Sequence, residues 1–186
     1  GSVDTLRELG QRLGFRVIVL EDIGEGGRWS SSRARDMVAA GDVRGAAEVL
    51  GRPHRVDGLV VHGDHRGRLL GFPTANLGGD VDGMVPQDGV YAGWLTRLDR
   101  PAGSLDRVLP AAISIGTNPT FHGVGRRVEG YVLDRTDLEL YGERIAYEFV
   151  SRLRPTLTFD GVDPLVEQMN EDVAECRSVL GQIVPS

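Results

Sequence analysis

Apolar positions along this chain change their period near residue 53. Before it the spacing is helical: Leu6, Leu9 and Leu13 recur three and four apart, between Asp4 as a cap and Gly14 as a stop. Residues 15–20 follow as a short β-branched run that reads as a strand. Ser30 to Ser32 can cap a second helix through Ala40, with Gly41 ending it. Asp42 can cap a third, whose Val43, Ala46, Ala47 and Leu50 share one stripe. Helix–strand–helix–helix is α/β in character, yet one strand makes no sheet. Residues 1–52 therefore read as a fragment of a domain with a linker.

Beyond Gly51-Arg52-Pro53 the period shortens to two. Residues 56–62, 90–98, 111–115, 128–134 and 145–152 are β-rich runs separated by turn residues, with a further short strand around 75–77. The gaps leave no room for helical crossovers until near the end. An antiparallel sheet closed into a small barrel satisfies such a pattern, because closure removes exposed edges. Asp163-Pro164 then opens a terminal helix, with Asp163 as cap and an apolar stripe of Leu165, Met169, Val173, Cys176 and Leu180. The reading is a mainly β domain over residues 53–186 with a C-terminal α-helix, preceded by a short α/β segment over 1–52.

Composition narrows the chemistry. A net charge of −6 argues against nonspecific nucleic-acid binding, which needs a basic face. No apolar run is long enough to span a membrane, no signal peptide is visible, and Gly1-Ser2 reads as a cloning scar. One cysteine, Cys176, permits no internal disulfide and fits a reducing, cytoplasmic setting; its place on the helix stripe makes it a packing residue. All 21 basic residues are arginine. A lysine-free chain has no P-loop or kinase lysine and no Schiff-base chemistry, so any nucleotide must be held by backbone amides, arginine and metal.

Several runs could carry that chemistry. Gly63-Asp64-His65-Arg66-Gly67-Arg68 leads through Leu69-Leu70-Gly71-Phe72 to Pro73-Thr74-Ala75-Asn76. Glycines let backbone N–H groups approach an anion, arginine forks onto phosphate, and Thr74 and Asn76 offer oxygens of the kind Mg²⁺ accepts. The same run can equally be a Gly-rich hairpin before a Pro turn. Ile115-Gly116-Thr117-Asn118-Pro119-Thr120-Phe121 is a second polar turn, or a plain hairpin loop. Glu129 could take a proton from a hydroxyl at the mouth of the barrel, or be a solvated strand residue. Tyr141-Gly142 could stack on a ligand or anchor a turn. Arg152-Leu153-Arg154-Pro155 could bind an anionic or carbonyl-bearing ligand, or be a surface basic pair. His62 and His65 lack a third ligand at zinc spacing. Asp134, Asp137 and Glu139 read as a solvated acidic turn rather than a calcium loop.

In this order, these runs resemble one family. The stretch from Gly63 through Arg68 to Asn76, then Asp88-Gly89-Val90-Tyr91-Ala92-Gly93, the 115–121 turn, Arg127-Val128-Glu129, Leu140-Tyr141-Gly142 and Leu153-Arg154-Pro155 are similar to the riboflavin kinase module of bacterial bifunctional riboflavin kinase/FMN adenylyltransferases. The resemblance covers residues 53 to 182. It implies a six-stranded antiparallel barrel with a terminal helix. It implies ATP and riboflavin as substrates, FMN as product, and Mg²⁺ as cofactor. By resemblance Thr74 and Asn76 ligate the metal, while Gly63, Arg68, Thr74 and Tyr141 bind ATP. Glu129 is the catalytic base and Arg154 lies near the flavin, with Val132 and Asp134 at further nucleotide positions. Ser30-Ser31-Ser32-Arg33-Ala34-Arg35 resembles the segment ending the adenylyltransferase domain. That domain's His-x-Gly-His motif is absent here, so residues 1–52 are expected to be a remnant, dispensable for the kinase and without FMN adenylyltransferase activity. The alternative class is a noncatalytic flavin-binding module. No nucleic acid, membrane or obligate protein partner is expected.

Overall fold

A computed structural model of the chain describes residues 2–19, 29–63, 66–120 and 123–183. Its contacts divide into two units, residues 1–30 and 31–186. In the first, helix α1 (Val3–Leu13) is capped by Ser2, whose hydroxyl accepts from the Thr5 N–H, and Gly14 closes its end. The expected cap, Asp4, lies instead in the first turn, where its charge favours the helix N-terminus. The run expected as a strand at 15–20 carries no strand over residues 15–19, and Leu20 lies outside the described residues. β-branched composition alone makes no strand where no partner supplies a ladder.

The second unit opens with α2 (Ser31–Ala39) and α3 (Val43–Leu50), the latter capped by the Asp42 carboxylate on the Gly45 N–H. Among the described residues six strands follow: β1 (His54–Val61), β2 (Thr74–Leu77), β3 (Gly89–Arg97), β4 (Val108–Thr120), β5 (Gly123–Val132) and β6 (Arg144–Arg154). They close as an antiparallel barrel in the order β1-β2-β5-β4-β3-β6. A short helical turn, α4 (Arg66–Leu69), precedes β2, and α5 (Val162–Leu180) ends the fold. Packing thus assigns α2 and α3 to the same unit as the barrel, and α3 touches β1 and β6.

Period-two alternation sends one set of side chains inward. Val56, Tyr91, Leu95, Ile113, Tyr147 and Phe149 belong to that core, and Val43 of α3 joins it. A second core lies outside the wall, where α5 sets Val173, Cys176 and Leu180 against Ala92, Trp94 and Phe72. Strand β3 is buried along its whole length because both of its faces are covered. This explains why it reads as a nearly continuous apolar run.

Two expectations shift. Over residues 115–120 the polar run is not a loop: Gly116 to Thr120 pair with Arg127 to Gly123 and form the far arm of the β4–β5 hairpin, and Phe121 lies outside the described residues. Polar side chains do not stop a ladder when a partner arm satisfies the backbone. Helix α5 begins one residue earlier, at Val162 after Gly161, with no side-chain cap, and Asp163 falls in its first turn.

Candidate active site

The pairing of β2 with β5 brings the predicted chemistry together. Asn76 faces Glu129, Ala75 faces Gly130 and Thr74 faces Tyr131 across the ladder. Ala75, Leu77, Val128 and Val132 point into the barrel core. By alternation, Thr74, Asn76, Glu129 and Tyr131 stand on the outer face. The carboxylate expected at the barrel mouth therefore lies on the barrel's outer wall, in a cavity that Gly67 of α4 and Met169 of α5 also line.

On that wall a hydrogen-bond chain runs through three side chains. Asn76 Nδ2 donates to Thr74 Oγ1 at 3.3 Å, and Thr74 Oγ1 donates to Glu129 Oε2 at 3.2 Å. A hydroxyl has one proton and two lone pairs, so Thr74 keeps one lone pair for a further partner. Asn76 is buried, and its Oδ1 has no hydrogen-bond partner. A buried unmet acceptor costs about 1–3 kcal/mol. It persists where something else is to occupy it. Gly63 is fixed by the same side chain: a Cβ there would lie 2.4 Å from Asn76 Nδ2 and 2.8 Å from Oδ1. Only glycine lets the loop pass so close to that amide.

Two cavities meet at Thr74. The larger, about 380 Å³, falls within the range of small-molecule sites. Leu70, Phe72, Tyr131, Leu157, Phe159 and Met169 give it apolar and aromatic walls, while Glu129 and Arg154 supply polar groups. The smaller, about 130 Å³, is lined by His62, Gly63, Arg68, Asn76, Glu139 and Tyr141. Thr74 lines both, Glu129 only the larger and Asn76 only the smaller. The His62 and Tyr141 rings stack with centroids 3.6 Å apart at the edge of the smaller one, leaving a flat aromatic surface beside it. Among the described residues no three His, Cys, Asp or Glu side chains gather as metal ligands. A cation in the smaller cavity would instead meet neutral oxygens from Thr74 and Asn76. Such a set suits Mg²⁺, which takes few protein ligands and keeps water and phosphate oxygens around it.

The remaining sequence-predicted residues fall into place unevenly. Arg68 reaches the smaller cavity, where its guanidinium pairs with Glu139 at 2.9 Å. Arg154 lines the larger cavity but is already clamped, Nε and one terminal nitrogen donating to the two Asp172 oxygens at 2.7 and 2.6 Å. Val132 is buried in the barrel core and Asp134 pairs with Arg177, so neither lines these cavities. His65 lies outside the described residues.

Sequence reasoning missed Asp172, Tyr131, Met169 and Arg127 as cavity residues. A signal for Asp172 was present: it interrupts the apolar stripe of α5 between Met169 and Cys176, and a carboxylate there needs a cation. Arg127 stood in the Arg127-Val128-Glu129 run without a role of its own, and Tyr131 and Met169 carried no signal, because apolar packing between the barrel and α5 accounts for both.

Comparison with known proteins gives a consistent picture. The riboflavin kinase (flavokinase) family model matches residues 50–180. The bifunctional riboflavin kinase/FMN adenylyltransferase of Escherichia coli K12 is 34% identical across 100% of this chain and 57% of its own length. That of Bacillus subtilis is 36% identical across 78% of this chain and 45% of its own length. The chain thus spans about half the length of these curated relatives. A Streptococcus pneumoniae structure described as a macrolide-efflux protein is 33% identical, covering 92% of this chain and 54% of its own, with a TM-score of 0.78. Among the described residues, no helix of this chain is long and apolar enough to cross a membrane.

Proposed function

The chain belongs to the riboflavin kinase family, and from that premise we propose that it transfers the γ-phosphoryl group of Mg·ATP to the ribityl 5′-hydroxyl of riboflavin, giving FMN and ADP. The observation that carries the assignment of parts is the meeting of two cavities at Thr74, with Glu129 on one side and Asn76 on the other. The larger cavity, with its apolar and aromatic walls, takes the flavin. The smaller cavity takes the phosphate end of the nucleotide, with Gly63 and Arg68 around it and Tyr141 beside it.

Glu129 orients the acceptor hydroxyl and takes its proton, while the Thr74 hydroxyl, by donating to Glu129, fixes the carboxylate's aim. Phosphoryl transfer needs little covalent chemistry from a protein and much positioning, so a lysine-free site is adequate. Mg²⁺, held by Thr74 and Asn76, would supply neutralisation of the phosphate charge. Arg154, clamped by Asp172, presents a rigid guanidinium at the flavin end. The alignment of the Escherichia coli relative along residues 1–50 as well supports reading 1–52 as derived from the preceding domain, with 53–186 as the kinase.

Incubating the purified chain with riboflavin and Mg·ATP and separating flavins by chromatography tests this reading. FMN without FAD is expected. FAD would show adenylyltransferase chemistry, and no flavin product at all would support a noncatalytic flavin-binding module.

A further inference from the structure

Inside the barrel, directly behind the site, stands one polar atom that the core does not require. Strand β6 sends Ile145, Tyr147 and Phe149 inward, each with no exposed surface. A phenylalanine would fill the place of Tyr147 almost equally well. A hydroxyl in an apolar core is unfavourable unless bonded. Here it donates to the Ala75 carbonyl at 2.7 Å. Ala75 is the residue between Thr74 and Asn76.

The same ring also bears on the facing strand. Ala75 lies opposite Gly130, the neighbour of Glu129. A Cβ at Gly130 would lie 2.5 Å from Tyr147 Cε1 and 2.7 Å from its Cζ and hydroxyl oxygen. Gly130 is thus the space into which the phenol fits. One side chain from β6 therefore touches both strands of the site at the rung that lies between the Thr74–Tyr131 and Asn76–Glu129 pairs. It does so from the face opposite the cavities. Burial pushes the phenol well above its ordinary range, with the Glu129 charge adding to that, so the hydroxyl remains a donor at any working pH.

We propose that Tyr147 is a positioning residue for phosphoryl transfer, its buried hydroxyl fixing the β2 backbone at Ala75 so that Thr74 and Asn76 hold their places against Glu129. The inference rests on the reading of those three side chains as the transfer site. A misplacement of about 1 Å can cost on the order of 100-fold in rate. Removing the hydroxyl frees the Ala75 carbonyl without emptying the core.

The test compares Tyr147→Phe and Gly130→Ala with the core variant Ile113→Val, each assayed for kcat, thermal midpoint, Mg·ADP affinity by calorimetry and riboflavin affinity by flavin fluorescence. Tyr147→Phe is expected to lower kcat about 10- to 100-fold. It should weaken Mg·ADP several-fold while leaving riboflavin affinity at the wild-type value. Gly130→Ala, which pushes the ring from the other strand, should give the same signature. Ile113→Val should lower the thermal midpoint alone. If Tyr147→Phe lowers only the thermal midpoint and keeps wild-type kcat and Mg·ADP affinity, the hydroxyl is merely structural and the proposal is overturned. Thr74→Ala and Asn76→Ala in the same series separate the two levels. If they too leave kcat and Mg·ADP affinity intact, the reading of the site itself has failed.

Discussion

Asn76, a proposed metal ligand, is a buried amide. Its Oδ1 lacks a partner while its Nδ2 is held by Thr74, so the residue is oriented at a cost in stability. Asn76→Ala should therefore reduce turnover by about 100-fold, as loss of a charge-stabilising contact does. Its thermal midpoint should fall by no more than about 3 °C, because an unmet acceptor leaves with the side chain. Thr74→Ala should act in the same direction, and activity at limiting Mg²⁺ with a parallel melting curve checks both. Arg154 behaves differently, because its charge is half of a largely buried pair. Arg154→Ala strands the Asp172 carboxylate and should cost roughly 3 kcal/mol of stability. It should also weaken riboflavin more than Mg·ADP. Adding Asp172→Ala should recover stability and leave flavin affinity low. Recovery of both would make the pair a structural strut only. Little of this was visible in the sequence alone. Thr74, Asn76 and Glu129 stood out by residue type within a recognisable order of motifs. The clamp on Arg154 and the bond from Tyr147 depend on β6, α5 and β2 meeting in space, which spacing along the chain does not encode.

Among the elements, the strands were legible because alternation survives in them, and the terminal helix because its stripe is regular. Their ends were less so. β4 runs to Thr120 through a polar stretch because a paired arm faces it, and residues 15–19 form no strand although their composition favours one. The sequence boundary at 52/53 also hides a packing relation. Val43 and Ala46 of α3 are buried, Val43 within the barrel core, whereas Leu50 at the end of the stripe is exposed. Val38 of α2 is buried too, and its carbonyl accepts from the Gln87 N–H. Truncation should therefore divide the segment. Removing residues 1–30 is expected to leave stability and kinase rate unchanged. Removing 1–50 strips apolar side chains worth about 1.5–3 kcal/mol each. That variant should unfold at markedly lower denaturant while keeping its rate at low temperature. Equal stability of the two truncations would show that α2 and α3 contribute nothing to the barrel.

The whole molecule carries its ionisable groups in a way that sets its response to pH. Arg97 is buried and bonds Glu143 at 2.8 and 2.6 Å, and its guanidinium holds the Glu143 carboxyl below its ordinary 4.5. Burial works against the charge on Asp88, yet hydrogen bonds from Thr117 and Arg126 outweigh it and hold that carboxyl below 3.8. Burial holds His54 below 6.5. In each case the unfolded chain binds protons more readily, so the stabilisation is full above the ordinary value and is lost as pH falls through the lower, folded one. Glu148 has the opposite sign. Burial raises its pKa above 4.5 and its Oε2 has no partner, so its charged form weighs against the fold above that range. The thermal midpoint should accordingly drop as pH is lowered from about 6.5 toward 3. Glu148→Gln should raise it at pH 7 to 8, with the gain vanishing below about pH 4. A gain that persists in acid would mean that packing rather than charge is responsible.

The central assignment, two cavities sharing one phosphoryl-transfer point with Glu129 as base, is tested most directly by following the γ-phosphoryl group of labelled ATP. The wild-type chain with riboflavin and Mg²⁺ should place the label on the flavin as FMN. Glu129→Gln, which keeps shape but cannot accept the proton, should bind riboflavin and Mg·ADP as the wild type does and transfer the label about 10²- to 10⁴-fold more slowly. Labelled FMN formed by Glu129→Gln at the wild-type rate would contradict the assignment of the base. Label released by the wild type as free phosphate, with no FMN, would contradict the reaction.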